Sequence, residues 1–175
     1  NACPHGVLSL VKSRDVYGRF QAFGLIPEGT GQCPGCPAEL GLRVAEKVFG
    51  KNTILFGAAS CAAGVILHSR IPTHICLMTN IAATMEGVRL YYRQLGRDVN
   101  IVAYAGDGAT ADAGFQNLSG AAERGEKLVY ICYDNEGYMN TGVQRSSTTP
   151  YKAWTFTTPL GEMYQFTVEA PEMTL

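Results

Sequence analysis

A Gly-Asp-Gly triplet at positions 106–108 stands between an apolar run and a helical pattern, and it limits the possible folds more than any other feature of this sequence. The run from Val99 to Tyr104 is apolar enough for a strand buried on both faces, and the two glycines allow a sharp turn around one carboxylate. We therefore predict that Asp107 lies at the carboxyl end of a parallel strand.

The segments that follow complete a strand-helix-strand unit. Residues 110–125 have helical apolar spacing, with Asp112 as the expected N-cap. A second buried strand is predicted at 128–133, and a right-handed crossover places it beside the first. Asn135 should then leave the sheet next to Asp107.

A carboxylate, an amide oxygen and a helix N-terminus at one sheet edge suit a metal-bound diphosphate. Mg²⁺ prefers carboxylate, neutral oxygen and phosphate ligands, and a helix N-terminus attracts phosphate. The triplet alone is more typical of an ordinary turn. Its spacing from Asn135, the flanking strands and the following Asn140-Thr141-Gly142 together favour the diphosphate site.

Strand and helix patterns also alternate on the amino-terminal side of this unit. Helices are predicted at 38–49 and 80–95, and short apolar strands at 53–56 and 74–78. We therefore predict an α/β fold, a parallel sheet flanked by helices, with its ligand at the carboxyl ends of the strands.

The chain is expected to contain one domain with extensions. Its 175 residues, 46% of them hydrophobic and 17% charged, are sufficient for one core. Residues 1–32 have no periodicity and read as an extended arm that packs on a partner subunit. Residues 33–161 form the binding domain, and 162–175 are a tail of unclear assignment. Because no initiating Met or signal sequence is present, we expect an incomplete chain.

Charge and hydropathy exclude two classes of partner. The net charge is −1, without a basic run, so nucleic acid is not expected as a partner. No apolar segment is as long as a membrane span, so no membrane association is expected.

Three of the six cysteines suggest a metal centre. Cys33 and Cys36 form a Cys-x-x-Cys turn, and Cys61 follows the predicted strand at 53–56. This pattern admits zinc, a thioredoxin-like redox pair or an iron–sulfur cluster. No second close pair supports zinc, and a glycine-rich arm rather than a strand precedes the turn, so the surroundings favour a cluster. A [4Fe–4S] cluster needs four thiolates, of which three are assigned.

Other chemistry-bearing residues receive structural interpretations. Cys76 and Cys132 lie in apolar strand-like runs and are predicted to be buried thiols rather than ligands. His68 and His74 are acid–base candidates, although isolated histidines in such positions are more often packing or surface residues.

Taken together, these motifs resemble the thiamine diphosphate-binding β subunit of 2-oxoacid:ferredoxin oxidoreductases, the pyruvate synthase and oxalate oxidoreductase type. The resemblance covers about residues 29–161. It rests on Cys33-Pro-Gly-Cys36, Cys61, Gly106-Asp-Gly108, the run from Tyr130 to Gly142 and the run from Gln144 to Pro150.

The resemblance implies a thiamine diphosphate-binding fold and assigns residues to its ligands. Asp107, Asn135 and the Gly137 carbonyl would hold Mg²⁺, and Cys33, Cys36 and Cys61 would hold a [4Fe–4S] cluster whose fourth cysteine lies beyond residue 175. The implied cofactor contacts are Gly106, Asp107, Gly108, Ala109, Asn135, Gly137, Asn140, Thr141 and Cys61. Asn140 is the candidate for a catalytic hydrogen bond to substrate, with a structural turn as an equal alternative.

The implied activity is oxidative decarboxylation of a 2-oxoacid, pyruvate first, with single electrons passing through the cluster to ferredoxin. The implied partners are a pyrimidine-binding α-type subunit that supplies the activating Glu, a γ-type subunit and a ferredoxin-like δ-type subunit. Coenzyme A is an optional further substrate, and the implied location is a reducing cytoplasm. The sequence around Cys61 lacks the Thr-Gly-Cys of pyruvate enzymes, and the tail differs from the family's continuation. Substrate identity, including oxalate, therefore stays open.

Two rival functions remain at this stage. One is a non-catalytic assembly fragment that keeps the fold without a cluster or turnover, which counting iron and sulfide would reveal. The other is a thiamine-dependent decarboxylase without electron transfer, which does not require the three placed cysteines.

Overall fold

Four parallel strands form one sheet in a computed structural model that describes Ile26 and residues 30–160. The strands are β1 (Thr53–Ala58), β2 (Thr73–Cys76), β3 (Asn100–Gly106) and β4 (Val129–Tyr133), and their order across the sheet is β2-β1-β3-β4. The predicted parallel α/β fold is confirmed. Residues 1–25 and 27–29 of the predicted arm, residue 161 and the predicted tail at 162–175 lie outside the described residues.

Helices cover both faces of the sheet. They are α1 (Pro37–Phe49), α2 (Ala63–Ile66), α3 (Ile81–Gln94) and α4 (Phe115–Glu123). A π-helical turn at Gly108–Asp112 precedes α4. Within residues 30–160, no helix combines the length and apolar character needed to cross a lipid bilayer.

The strand order creates a switch point between β1 and β3. The chain leaves β1 toward β2 on one side and returns through β3 on the other side of β1. β4 then pairs with β3, as the predicted crossover requires. In parallel sheets, loops diverge at such a point and leave a crevice at the carboxyl ends of the strands.

Alternating residues of the strands build one core on each face of the sheet. On one face, Leu55, Val102 and Tyr104 pack with Leu42 of α1 and residues of α2. Phe56 and Ala103 face the opposite way, toward α3. Ile26 packs in the first core, and its carbonyl accepts a 2.7 Å hydrogen bond from Arg43, so this part of the predicted arm lies on the chain's own core.

Helix α1 begins and ends as its sequence predicts. Cys36 is its N-cap residue, Pro37 occupies the first turn, and Gly50 ends it with a φ of 70°. The strands and α3 also agree with the predictions to within about two residues, a typical uncertainty for element boundaries.

Two features of the predicted strand-helix-strand unit are wrong. Asp112 does not cap a helix beginning at residue 110, because helical structure starts directly after Asp107 as the π-helical turn. β4 is not buried on both faces, because it is the edge strand of the described sheet, and Val129 and Cys132 are exposed. An apolar run alone does not distinguish an edge strand from a central one.

A prediction concerns the two glycines of the α3 and α4 region. A Cβ on Gly114 would lie 2.1 Å from the Ala109 carbonyl oxygen and 2.6 Å from that of Met78, whereas Gly87 on α3 has nothing within 4 Å. Gly114→Ala should lower the free energy of unfolding by about 1–3 kcal/mol. Gly87→Ala should raise it by about 0.5–1 kcal/mol. Urea unfolding of both variants tests this, and a Gly114→Ala variant as stable as the parent would contradict the packing described.

Candidate functional site at the carboxyl ends of β1 and β3

A cavity opens at the switch point between β1 and β3. The loop after β1 supplies one wall, and the π-helical turn after β3 supplies another. The segment after β4 completes it. Its lining residues are Ala59, Ser60, Cys61, Met78, Gly106, Asp107, Gly108, Ala109, Tyr133, Asn135, Gly137, Tyr138, Met139, Asn140 and Thr141.

Asp107 is the buried carboxylate of this cavity, with 1% of its surface exposed. Its Oδ2 accepts hydrogen bonds from the hydroxyls of Ser146, at 2.5 Å, and Thr148, at 3.0 Å. Burying a carboxylate costs free energy unless donors or a cation compensate for lost water. Neutral hydroxyls hold one oxygen, and the other faces Asn135.

The side chains of Asp107 and Asn135 and the carbonyl of Gly137 meet at one point. The inward terminal atom of the Asn135 amide lies 2.8 Å from Asp107 Oδ1 and 2.9 Å from the Gly137 carbonyl oxygen. With nitrogen inward, the amide donates to both acceptors. With oxygen inward, three oxygens converge, an arrangement that a hard cation satisfies. The donor set therefore fits Mg²⁺.

The loop of hydroxyl residues 146–149 folds over the buried carboxylate. The Thr148 hydroxyl also lies 2.9 Å from Asp134 Oδ1, so its single proton is shared between the carboxylates of Asp107 and Asp134. Ser147 donates through its backbone N–H and its hydroxyl to Asp112. The sequence predicts a polar loop here. It does not predict the contact with Asp107, because about forty residues separate that residue from the loop.

The two glycines of the triplet serve close packing rather than a turn. Neither adopts a positive φ. A Cβ on Gly106 would lie 3.2 Å from the Tyr133 ring, and one on Gly108 would lie 2.5 Å from the Tyr138 ring. Tyr138 also donates to Asp112 at 3.0 Å. The prediction of a glycine-enabled sharp turn is therefore wrong, although the carboxylate stands at the predicted strand end.

The segment from Glu136 to Val143 is a strained loop beside the cavity. Glu136 and Val143 adopt φ angles of 64° and 61°, which are unfavourable for a β-branched residue such as valine. Tyr138 and Gln144 form a short antiparallel bridge that closes the loop. Backbone strain of this kind concentrates at functional sites. Asn140 and Thr141 lie at the tip of the loop and line the cavity.

Cys61 connects the cavity to the Cys33–Cys36 turn. Burial raises the pKa of its thiol, the backbone N–H of Asn140 opposes this, and the thiolates of Cys36 and Cys33 raise the pKa further. The Gln32 side chain donates to the Cys61 carbonyl at 2.6 Å and fixes the two loops together. The three cysteines predicted as cluster ligands thus lie near one another.

The three thiols do not converge as ligands of a single ion would. Across residues 30–160, no group of three or more His, Cys, Asp or Glu side chains is close enough to hold a metal ion. A four-iron cluster places each cysteine on a different iron atom, so its ligands need not meet at one point. The donor type and proximity of Cys33, Cys36 and Cys61 therefore fit a cluster.

The remaining cysteines lie elsewhere. Cys76 is buried, as predicted, whereas the prediction of a buried Cys132 is wrong. Because side chains alternate along β4, Cys132 and Tyr133 point to opposite faces of the sheet. The Cys132 thiol hydrogen-bonds to Thr110, and Tyr133 lies on the α1 face with Cys36. Cys132 borders the same pocket as Cys36, but its thiol is directed to Thr110 and away from the cluster candidates.

The two candidate acid–base histidines do not line the cavity. A ring nitrogen of His68 lies 2.8 Å from the Gly64 carbonyl oxygen. The ring of His74 packs edge-on against Phe56, with centroids 5.7 Å apart. Both histidines therefore have local packing or surface contacts.

A family profile described as thiamine pyrophosphate enzyme, C-terminal TPP binding domain, matches residues 67–172. The match covers most of the chain and contains Asp107, Asn135 and the hydroxyl loop. It also extends into the predicted tail.

Several curated relatives are similar in sequence. The chain is 43% identical over 169 residues to the β subunit of NADH-dependent phenylglyoxylate dehydrogenase from Aromatoleum evansii, covering 92% of this chain and 38% of the relative. It is 50% identical over 136 residues to pyruvate synthase subunit PorB from Methanothermobacter thermautotrophicus, covering 74% and 47%. Ketoisovalerate oxidoreductase subunit VorB from Pyrococcus furiosus is 44% identical over 145 residues, covering 75% and 46%. The chain spans less than half the length of these relatives.

A solved structure supports the fold. The 2-oxoglutarate:ferredoxin oxidoreductase from Magnetococcus marinus matches with a TM-score of 0.70 and 22% identity, covering 80% of this chain and 49% of that one. At this identity the likeness concerns the fold alone.

A prediction tests the contact between the hydroxyl loop and Asp107. Ser146→Ala should lower the free energy of unfolding by about 1–3 kcal/mol, because it removes a donor from a buried carboxylate. Ser119→Ala, the same change at an exposed position of α4, should alter it by about 0.5 kcal/mol or less. Chemical denaturation at neutral pH measures both, and equal costs would contradict a specific role for Ser146.

Proposed function

The chain belongs to the thiamine pyrophosphate enzymes, whose C-terminal TPP-binding domain it contains, and from this we propose that it is part of a 2-oxoacid:ferredoxin oxidoreductase β subunit. Thiamine diphosphate, another name for the same cofactor, would bind at the switch-point cavity. The observation that carries the proposal is the meeting of Asp107, Asn135 and the Gly137 carbonyl at this cavity.

Asp107, Asn135 and Gly137 would hold Mg²⁺, with diphosphate oxygens among its remaining ligands. Asp107 supplies the negative charge, and the amide and carbonyl supply neutral oxygens. Ser146 and Thr148 hold the other carboxylate oxygen, so Oδ1 is presented toward Asn135. Gly106, Gly108 and Ala109 would contact the cofactor with little side-chain bulk, since all three line the cavity.

Cys33, Cys36 and Cys61 would hold a [4Fe–4S] cluster, with the fourth thiolate from beyond residue 175. When bound, thiamine diphosphate supplies the electron sink for decarboxylation of a 2-oxoacid, and the cluster supplies a one-electron acceptor. Cys61 borders both sites, because it lines the cavity and lies near Cys33 and Cys36. Asn140 and Thr141 are placed to contact cofactor or substrate, and Asn140 is the candidate for a hydrogen bond to substrate.

The proposed enzyme acts only in a complex. By family resemblance, the Glu that contacts the aminopyrimidine belongs to a pyrimidine-binding α-type subunit, with γ-type and ferredoxin-like δ-type subunits as further partners. Ferredoxin would receive the electrons, and coenzyme A is a possible acyl acceptor. Thiolate ligation suits a reducing cytoplasm.

Pyruvate is the first proposed substrate, and an aromatic 2-oxoacid is the second. The phenylglyoxylate dehydrogenase relative supports the second, because its similarity spans 92% of this chain, whereas that of the pyruvate synthase relative spans 74%. We predict that the purified complex has its highest kcat/KM with one of these two acids. Ferredoxin reduction with pyruvate, phenylglyoxylate and oxalate decides between them, and preference for oxalate would contradict the prediction.

Asp107→Ala should abolish Mg²⁺-dependent binding of thiamine diphosphate. The change removes the only carboxylate among the proposed ligands, and neither the Gly106–Gly108 triplet nor residues 134–142 contain a Lys or Arg to replace its role in holding the cation. Isothermal titration of the cofactor-free complex, with Mg²⁺ and with a chelator, measures the loss.

Asp98→Ala is the matched control, because Asp98 is exposed and precedes β3 at the opposite end of the sheet. It should bind the cofactor with parental affinity. Parental affinity in the Asp107→Ala variant would overturn the assignment.

Cys61→Ser should lower iron and sulfide per chain and impair electron transfer, whereas Cys132→Ser should leave both unchanged. The reason is that Cys61 lies with Cys33 and Cys36, and Cys132 faces the other side of β4. Iron and sulfide analysis of anaerobically purified complexes provides the measurement. Loss of iron with Cys132→Ser would contradict the ligand set, and absence of iron in the parent would favour a non-catalytic assembly fragment.

A further inference from the structure

Two stacked tyrosines join the segments that carry the proposed cluster and cofactor ligands. The rings of Tyr104 on β3 and Tyr133 on β4 lie 5.1 Å apart and are inclined by 29°. Tyr104 is 2% exposed, and Tyr133 is half-buried. The pair lies on the face of the sheet that α1 and α2 cover.

The Tyr133 hydroxyl holds the loop that carries Cys61. It accepts a 3.0 Å hydrogen bond from the Ala62 backbone N–H and lies 3.3 Å from the Ser60 hydroxyl. Its ring packs closely against Gly106, where an added Cβ would lie 3.2 Å from the ring. One side chain therefore contacts the loop on both sides of Cys61 and the residue before Asp107.

The Tyr104 hydroxyl holds the segment that carries Cys36. It donates to the Ala38 carbonyl at 2.5 Å, in the first turn of α1. A Cβ on Gly41 would lie 2.6 Å from the Tyr104 hydroxyl oxygen, so α1 approaches this ring as closely as a glycine allows. The two hydroxyls of the stacked pair thus reach two different cysteine-bearing segments.

We propose that Tyr104 and Tyr133 are positioning residues that set the Cys36 and Cys61 thiols relative to the Asp107 site. The hydroxyl of each tyrosine hydrogen-bonds to one cysteine-bearing segment. The stacking of the two rings fixes the position of both segments relative to β3. This inference rests on the proposed function, because the distance that the tyrosines would fix is the distance between the proposed cluster and the proposed cofactor.

Each phenol hydroxyl can donate one hydrogen bond while it accepts another, so one tyrosine side chain can hold a backbone group on a neighbouring segment.

Tyr133→Phe and Tyr104→Phe test the proposal, because each removes one hydroxyl and keeps the ring. The assembled complex is stripped of cofactor and iron under reducing conditions. It is then alkylated with N-ethylmaleimide, and modification of each cysteine is followed by peptide mass spectrometry. Tyr91→Phe, on the exposed surface of α3, is the control substitution. Buried Cys76 is the internal standard for unfolding.

The expected result is a crossed pattern. Tyr133→Phe should raise the alkylation rate of Cys61 about fivefold and leave that of Cys36 nearly unchanged. A fivefold rise corresponds to the loss of one neutral hydrogen bond that opposes local opening of the Cys61 loop. Tyr104→Phe should do the reverse, and Tyr91→Phe should change neither. No change, or an equal rise that includes Cys76, would overturn the proposal, since the tyrosines would then have no specific positioning role.

A second readout uses the loaded complex. Tyr133→Phe should move the midpoint potential of the cluster to a less negative value, because a looser Cys61 loop admits water near the iron. An unchanged potential would overturn the effect on the cluster. If the parent binds no iron, the proposed function fails, while the alkylation pattern still decides whether the tyrosines position the cysteines.

Discussion

The buried carboxylate of Asp107 determines how the loops at the carboxyl ends of β3 and β4 are arranged. A carboxylate with 1% exposure requires compensating partners, and these come from two segments that are distant from it in sequence. Ser146 and Thr148 reach it from the hydroxyl loop, and Asn135 reaches it from the end of β4. The hydroxyl loop in turn is fixed by Asp112 and Asp134. The second carboxylate oxygen thereby faces Asn135, where we propose that the cation binds.

The sheet topology explains why two proposed centres share one chain. Cys61 follows β1 and Asp107 follows β3; these two strands are paired, and the loops that follow them diverge at the switch point. Their carboxyl ends therefore lie side by side. Helix α1, whose N-cap is Cys36, covers the face of the sheet on which Tyr104 lies. A short, fixed separation between a cluster and a cofactor would follow from strand pairing, and the stacked tyrosines would make it rigid.

The sequence predicts the parts of this structure that depend on local patterns. Apolar runs predict the strands, Pro37 and Gly50 predict the two ends of α1, and the strand ends predict that Asp107 and Asn135 lie at one sheet edge. What it missed depends on distant contacts. Ser146 looks like any loop serine until the fold brings it to Asp107, and the glycines of the triplet are explained only by the rings of Tyr133 and Tyr138. Cys132 was misplaced because the edge position of β4 has no local signature.

The most direct test is a crystal structure of the complex grown with thiamine diphosphate and Mn²⁺ in place of Mg²⁺. Mn²⁺ accepts the same carboxylate and carbonyl ligands and is visible by anomalous scattering. With data recorded above the manganese absorption edge and below that of iron, so that cluster iron does not contribute, we predict a manganese peak in contact with Asp107 Oδ1, the Asn135 side-chain oxygen and the Gly137 carbonyl oxygen. Bound cofactor whose manganese peak lies away from these three atoms, or bound cofactor without such a peak, would contradict the account.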